Sequence, residues 1–241
     1  IIEDDSFFMW NRGREAGDKD ETLYYNSSTK RIEYTTYNGS SSETLLLPAN
    51  NTIGLRKWHH VAIVYQHDNS NSANSVHTMY IDGVSAATES GTSATAGTGA
   101  TYITIANWGA TGTGPDGGTA ITDPEIRWGR DRAESSIYGG AHYMSGLRVT
   151  KQALYTTTFT PPTSITNTGA NVKFLTLSTE RTIKDSSSSN HTVHLNGTPS
   201  IEAWSPYTTD AIEFGTEYRT PEDAHEIGSF SFDGTGDYLS S

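Results

Sequence analysis

Two runs decide the fold, WHHVAIVY at residues 58–65 and VHTMYIDG at residues 76–83. The first is the most apolar and β-branched run in the chain, and such residues favour strands over helices. The second alternates between apolar and polar residues and ends at Asp82-Gly83. An Asp-Gly pair after a strand predicts a tight turn, because that turn requires positive φ. We therefore predict a central strand, and a second strand that ends in a hairpin turn.

The regions on either side of these runs also favour strands. Residues 22–37 predict a hairpin, since strand-like segments flank the turn residues 26–30. Residues 85–118 are dominated by Gly, Ala, Thr and Ser, which predicts long loops around one strand. No helix longer than about three turns is predicted. Further predicted strands are 102–106, 144–150, 172–178 and 191–195.

The composition supports an all-β fold with a modest core. Apolar residues make up 34% of the 241 positions and aromatic residues 10%, which is lean but not typical of disorder. Much of the remainder is Ser, Thr, Gly and Asn, which favour strands, turns and loops over helices. The residues expected to be mostly buried, with Trp58 at least partly so, are Ile63, Tyr80, Ile81, Ile103, Leu147 and Val149.

The charge and the absence of cysteine restrict the partners. The net charge is -12 and the 16 basic residues are scattered, so we predict no nucleic-acid partner. No apolar run approaches the roughly 18 residues that span a bilayer, so no membrane insertion is predicted. The chain has 0 cysteines, which excludes disulfides, thiolate chemistry and zinc–cysteine sites.

Several motifs resemble one superfamily. WHHVA at 58–62 and YIDG at 80–83 resemble the laminin G-like branch of the concanavalin A-like lectin/glucanase superfamily. The stretch from SGLRVTK at 145–151 to FTPPT at 159–163 is similar to laminin G-like domains in structural proteins of aquatic tailed phages. The resemblance covers roughly residues 5–207. It implies an antiparallel two-sheet jelly-roll sandwich.

The same resemblance implies a function. It implies a non-enzymatic structural or binding module of a virion appendage or extracellular fibre, at the virion surface or outside the cell. The implied partners are copies of the chain itself or sister domains in a fibre, and host-surface glycans. A subunit of a cellular surface fibril or adhesin is the alternative setting.

One family motif is displaced. The family usually opens with a strand of the kind seen here at residues 230–239, FSFDGTGDYL. We therefore interpret residues 1–207 as a sandwich that lacks its usual first strands and 208–227 as a linker. Residues 228–241 would be the opening strand of a following domain, or a strand donated to the next subunit by β-strand addition.

The acidic residues do not form the pattern of a glucanase. The glycosidases of this superfamily carry alternating acidic and apolar residues on one strand, which points two carboxylates into the cleft. No such run is present, and the nearest cluster mixes Glu125, Asp131 and Glu134 with arginines. We therefore predict that the chain is not an enzyme, with a glucanase of the same fold as the alternative.

Carbohydrate contacts are predicted in the Gly-rich loops. Sugars stack on exposed aromatic rings while Asp and Asn bind their hydroxyl groups. Trp108, next to Asn107 and close to Asp116, has this composition, and Tyr138 lies in another Gly-containing loop. The alternative is a loop aromatic that folds back on the core.

No cofactor is predicted, although a structural Ca²⁺ is an alternative at the acidic turns. Asp82, Asp233 and Asp237 are the oxygen donors there, and turn formation is the other explanation for them. His59 and His60 alternate along an extended segment, which sends them to opposite faces and disfavours a shared metal.

Five asparagines begin an Asn-x-Ser/Thr sequon and are candidates for glycosylation. In a chain rich in Asn, Ser and Thr, such sequons also arise by chance. They are Asn26, Asn38, Asn50, Asn190 and Asn196.

Overall fold

The computed structural model describes residues 6–13, 19–38, 42–66, 74, 76–90, 125–128, 142–165, 169–177, 183–196, 199–202, 205–206, 229–232 and 238–240. Within these ranges there are strands and no α-helix. The strands are β1 (Phe7–Gly13), β2 (Lys19–Asn26), β3 (Arg31–Asn38), β4 (Ser42–Leu46), β5 (Val61–Gln66), β6 (Val76–Ile81), β7 (Val84–Ser90), β8 (Glu125–Trp128), β9 (His142–Met144), β10 (Leu147–Thr150), β11 (Val172–Thr176), β12 (His194–Asn196), β13 (Ser200–Glu202), β14 (Ser229–Phe232) and β15 (Tyr238–Ser240). The described part of the chain has no helix long and apolar enough to span a membrane.

The strands form antiparallel sheets, as predicted. One sheet has seven strands in the order β12-β15-β8-β1-β2-β3-β4, and another has three in the order β5-β6-β7. Two smaller sheets have the orders β13-β14-β9 and β10-β11. Every described strand pair is antiparallel. The all-β, antiparallel fold is consistent with a concanavalin A-like sandwich.

The main core lies between the seven-stranded sheet and the sheet β5-β6-β7. Tyr25 and Leu46 enter it from the first sheet, and Met79 and Ile81 enter it from the second. Each of these side chains is buried. Because period-two alternation turns one face of each sheet inward, the two apolar faces can pack on each other.

A second core supports the later strands. Met144, Leu147, Val149, Phe174 and Leu177 pack together there. Met9, on β1, contacts both cores and so connects them.

The predicted hairpins are confirmed. Strands β2 and β3 pair over eight positions, from Lys19↔Asn38 to Asn26↔Arg31. Strands β6 and β7 meet at the Asp82-Gly83 turn, where φ is 52° at Asp82 and 81° at Gly83. Positive φ at both positions is what a type I′ turn requires, and Asp and Gly tolerate it well.

The burial predictions are confirmed for most of the described residues. Tyr80, Ile81, Leu147 and Val149 are buried. Trp58 and Ile63 are half-buried. Position 103 lies outside the described residues.

The prediction for residues 228–241 is corrected. In the structure, β14 lies between β13 and β9, with Phe230 opposite both Ile201 and Met144. Strand β15 lies between β12 and β8, with Leu239 opposite Leu195 and opposite position 128. The sequence did not reveal these partners, because β14 and β15 pair with strands that are mostly distant from them along the chain. The segment therefore completes the sheets of its own chain, whereas the predicted linker 208–227 lies outside the described residues.

Candidate functional site

A cluster of polar side chains lies on the outer face of the seven-stranded sheet, where β2 pairs with β3. Tyr24 is opposite Glu33, and Asn26 is opposite Arg31. The intervening residues of both strands belong to the main core. Because successive side chains point to opposite faces, these four share the face turned away from the core. We call them, together with Thr29 of the turn, the Glu33 cluster.

Glu33 is the centre of this cluster. It is only 5% exposed, although it lies on the outer face. Its Oε1 accepts hydrogen bonds from Arg31 Nε at 2.9 Å and from Asn26 Nδ2 at 3.0 Å. The Thr29 hydroxyl is 3.4 Å from the same oxygen, and the Tyr24 phenol donates to Oε2. Neighbouring side chains of this protein therefore satisfy the carboxylate.

The hydrogen bonds decide the charge state of Glu33. Burial acts to raise its pKa, because a charged carboxylate loses its hydration. The hydrogen bonds from Tyr24, Arg31 and Asn26 and the charge of Arg31 outweigh that effect. The pKa of Glu33 is therefore held below its usual range, and the group stays ionised at neutral pH.

Arg31 joins the cluster to the following loop. Its Nη1 donates to Asn50 Oδ1 at 2.8 Å and lies 3.4 Å from the Pro48 carbonyl oxygen. Two backbone hydrogen bonds, from Asn51 N to Thr29 O at 2.8 Å and from Ile53 N to the carbonyl of residue 30 at 3.1 Å, hold the loop against the turn. The result is a fixed set of amide, guanidinium and phenol groups at one end of the sheet.

The first histidine of the WHHVA motif is bound to the turn of the second motif. His59 Nδ1 lies 2.8 Å from Asp82 Oδ2, and His59 Nε2 accepts from Gly54 N at 3.2 Å. Since Nε2 accepts, Nδ1 carries the proton and donates to Asp82. Asp82 Oδ1 accepts from the His60 amide at 2.9 Å, and the Asp82 amide donates to the His60 carbonyl at 2.8 Å. The two motifs of the resemblance therefore form one structural unit.

The second histidine contacts a different segment. The ring of His60 is nearly perpendicular to the rings of Tyr155 and Phe159, whose centroids lie 5.7 and 5.4 Å from its own. Tyr155 and Phe159 stack on each other at 3.7 Å. Both belong to residues 153–164, which we call the strap. The strap is held on the hairpin turn by a hydrogen bond from Phe159 N to Gly83 O at 3.0 Å.

A third polar site is buried behind β11. The Asp185 carboxylate is 3% exposed and accepts hydrogen bonds from the amides of Leu175, Ser187 and His191 at 2.8–3.0 Å. The Ser187 hydroxyl also donates to it at 2.9 Å. These bonds fix the connection from β11 towards β12, so the role of Asp185 is structural.

The predicted carbohydrate residues cannot be compared with these sites. Trp108, Asn107, Asp116 and Tyr138 all lie outside the described residues. The sugar-contact hypothesis for the Gly-rich loops therefore remains a prediction.

The glycosylation candidates differ in their surroundings. Asn50 and Asn190 are exposed. Asn26 is half-buried, and its Nδ2, the atom that would carry a glycan, donates to Glu33. Asn38 and Asn196 end strands β3 and β12, and their side chains lie outside the described residues.

The described turns offer no assembled metal site. No group of three or more His, Asp or Glu side chains that could hold an ion occurs among the described residues. Both carboxylate oxygens of Asp82 are engaged by the His59 ring and the His60 amide, which fits its role in the turn. Asp233 and Asp237 lie outside the described residues.

The Glu33 cluster and Asp185 were not predicted from the sequence. For Glu33 a signal was present, since alternation along β3 places Arg31 and Glu33 on one face. For Asp185 the sequence Asp-Ser-Ser signals only the local turn, in which the Ser187 amide donates to the carboxylate. The amides of Leu175 and His191 are brought to it by the fold.

The comparisons with known proteins agree with this architecture. Residues 4–118 match a family model, Laminin_G_3, of the concanavalin A-like lectin/glucanases superfamily. The matched span contains strands β1 to β7, and so both faces of the main core. The predicted resemblance to this superfamily is confirmed over that span. No curated protein and no solved structure matches the chain.

Proposed function

We propose that this chain is a non-enzymatic, lectin-like module that binds glycans and acts as a structural unit outside the cell or on a virion. The observation that carries the proposal is the state of Glu33. It lies on the outer face of the large sheet, it is ionised, and neighbouring donors satisfy both of its oxygens. That arrangement suits a fixed binding surface better than a hydrolytic site.

The alternative, a glucanase of the same fold, needs a different arrangement of carboxylates. Glycoside hydrolysis uses two carboxyl groups about 5–10 Å apart, and the one that serves as general acid needs a raised pKa. The pKa of Glu33 is lowered instead. No second carboxylate hydrogen-bonds within the Glu33 cluster in the described part of the chain.

Fixed polar groups favour glycan recognition. Arg31 and Asn50 hold each other in place, and the loop behind them is bonded to the β2–β3 turn. Groups that are already ordered lose little conformational freedom when a ligand binds. A sugar that contacts this end of the sheet would therefore meet donors and acceptors in set positions.

The extracellular or virion setting is supported by the sequence. The stretch 145–163 resembles laminin G-like domains of phage structural proteins. The proposed partners are host-surface glycans and copies of the chain or sister domains in a fibre. A cellular fibril or adhesin is the competing setting.

The experiment combines a glycan array with a hydrolysis assay on the purified chain. We expect binding to one or a few glycans, without release of reducing sugar from β-glucans. Trp108→Ala should weaken binding by about 1–3 kcal/mol if the ring stacks on a sugar, by analogy with stacking of bases on aromatics. Asn50→Ala, which removes the side chain that Arg31 binds, tests the Glu33 cluster as the site. Asn190→Ala, at an exposed residue without a contact to the cluster, is its control.

Two results would contradict the proposal. One is glycan hydrolysis that disappears in Glu125→Gln or Glu134→Gln. The other is the absence of binding to any glycan of a broad array. Loss of binding in Asn50→Ala but not in Trp108→Ala would place the site at the Glu33 cluster and not in the Gly-rich loops.

A further inference from the structure

His60 lies beside an aromatic stack rather than over a ring face. Tyr155 and Phe159 are almost parallel, with an interplanar angle of 7° and centroids 3.7 Å apart. The His60 centroid is nearly equidistant from both, at 5.7 and 5.4 Å, and its ring is almost perpendicular to them. A group equidistant from two stacked rings lies at their edges.

This position is unfavourable for a positive charge. The edge of an aromatic ring is electropositive and its face electronegative, so cations are attracted to the face. An imidazolium at position 60 would meet the edges of Tyr155 and Phe159. Moreover, His60 Nδ1 is buried, and the described residues provide no hydrogen-bond partner for it.

The charged groups around His60 do not compensate for its protonation. The guanidinium of Arg148, on β10, donates to the Tyr155 hydroxyl at 2.9 Å. A cation is therefore held beside the strap. The negative charge of Asp82 favours the charged form of His60, but its oxygens already bind the His59 ring and the His60 amide. Burial and the charge of Arg148 lower the pKa of His60, and Asp82 only partly opposes them.

The strap is attached firmly at its ends and lightly at its centre. At one end Lys151 N donates to the Asn171 carbonyl at 2.8 Å, and at the other Ile165 is buried with Val172 and Leu175. Between these ends, the described backbone bond to the hairpin is that of Phe159 N to Gly83 O. The other central contacts are the hydrogen bond from Arg148 to the Tyr155 hydroxyl and the aromatic contacts with His60 and with Tyr80, whose centroid is 5.4 Å from that of Phe159.

We propose that the strap is an acid-released element: protonation of His60 detaches Phe159 and Tyr155 from the hairpin turn while the rest of the sandwich stays folded. In the detached state the imidazolium reaches water, and Tyr80, which is 3% exposed in the closed state, is uncovered. The domain would then present an aromatic surface at low pH that it covers at neutral pH.

The direction of the pH effect follows from linkage. The pKa of His60 is lower in the closed state than in an exposed state, so the open state binds the proton more tightly. Closure is therefore fully favoured above about pH 6.5, the usual pKa of histidine, and weakens as the pH falls below that value. One linked proton changes the equilibrium by at most about tenfold per pH unit.

Hydrogen–deuterium exchange of the unmodified chain between pH 7.5 and 4.5 tests the proposal. After correction for the pH dependence of the chemical exchange rate, we expect the strap peptide, which contains the Phe159 amide, to lose protection by up to about tenfold per pH unit. Strand β6 should remain more strongly protected than the strap across this range, because its exchange requires global unfolding. Because β6 carries the buried His77, it is also the internal reference for global acid unfolding.

Four variants separate the proposal from its alternatives. His60→Phe keeps a ring at the same place without a proton to gain, and His60→Gln is a second non-titrating variant. In both, protection of the strap should no longer depend on pH. His194→Gln, at an exposed histidine of β12, should behave like the unmodified chain, and Gly83→Ala should leave the strap open at neutral pH.

Three outcomes would overturn the proposal. The strap of the unmodified chain keeps its protection at low pH, or it opens with the same pH dependence in His60→Phe and His60→Gln. In the third, the strap and β6 lose protection together, which would show global unfolding.

Discussion

The carbonyl oxygen of Phe159 occupies the space that a Cβ on Gly83 would fill. An ideal Cβ at Gly83 would lie 1.8 Å from that oxygen and 3.2 Å from Pro161 Cδ. The obstructing atom is backbone, so a rotamer change cannot relieve the clash. The hairpin turn therefore needs glycine for two independent reasons, its positive φ and the close approach of the strap.

Gly83→Ala should consequently destabilise the fold by roughly 2 kcal/mol or more, because the strap must move and the positive φ is strained. Gly169→Ala is the matched control. Gly169 also has a positive φ, 131°, but nothing lies within 4 Å of its ideal Cβ. Urea unfolding of both variants measures the difference. Equal losses of stability would mean that the contact with Phe159 is unimportant.

Glu33→Gln should lower the free energy of unfolding at pH 7 by about 1–3 kcal/mol, since a neutral amide replaces a buried acceptor of charge-assisted bonds. The pKa of Glu33 is lowered in the folded state, so its ionised form stabilises the fold above its unfolded pKa. That contribution is lost as the pH falls from about 4.5 through the folded pKa.

The measurement is stability against pH for Glu33→Gln and for Glu89→Gln, a half-buried position on strand β7. Only the first should flatten the acid limb of the profile. An unchanged profile in Glu33→Gln would show that the cluster does not hold the carboxylate ionised in solution.

Asp185→Asn should cost about 2–4 kcal/mol, because the buried carboxylate accepts from three backbone amides and a hydroxyl. An amide group would turn its own NH₂ towards some of these donors. Asp82→Asn, with a side chain 42% exposed, is the control and should cost less. Thermal unfolding followed by circular dichroism measures both variants, and a smaller effect at Asp185 than at Asp82 would contradict the structural role.

His77→Phe should make the fold more resistant to acid. His77 is 3% exposed and stacks on Tyr65 at 4.4 Å, and burial lowers its pKa to about 4. Since the folded pKa lies below the unfolded value, stability is complete above about pH 6.5 and falls between there and about pH 4. The loss over this window is roughly 3 kcal/mol.

Phenylalanine can keep the stacking without titrating, so the decline between pH 6.5 and 4 should shrink in His77→Phe. Exposed His194 supplies the control as His194→Gln. The measurement is the free energy of unfolding, obtained with denaturant between pH 6.5 and 4, for both variants and the unmodified chain. A profile in His77→Phe that declines as steeply as that of the unmodified chain would exclude His77 as the cause.

The sequence alone determined the local features of this protein. Alternation in residues 22–37 and 76–81 and the Asp82-Gly83 pair predicted hairpins that the structure contains, because strand period and turn φ depend on neighbouring residues. The composition predicted an all-β chain because Ser, Thr, Gly and Asn favour strands, turns and loops over helices. The WHHVA and YIDG motifs indicated the superfamily whose family model matches residues 4–118.

Tertiary structure alone decided the long-range strand pairings and the charge states. Strand β14 was predicted to leave the domain, yet it lies between β13 and β9, because a strand pairs with whichever edges the fold presents to it. The ionised state of Glu33 depends on donors from β2 and the turn, and the surroundings of His60 depend on a strap about a hundred residues further along the chain. Burial and distance set these properties, and neither is defined until the chain has folded.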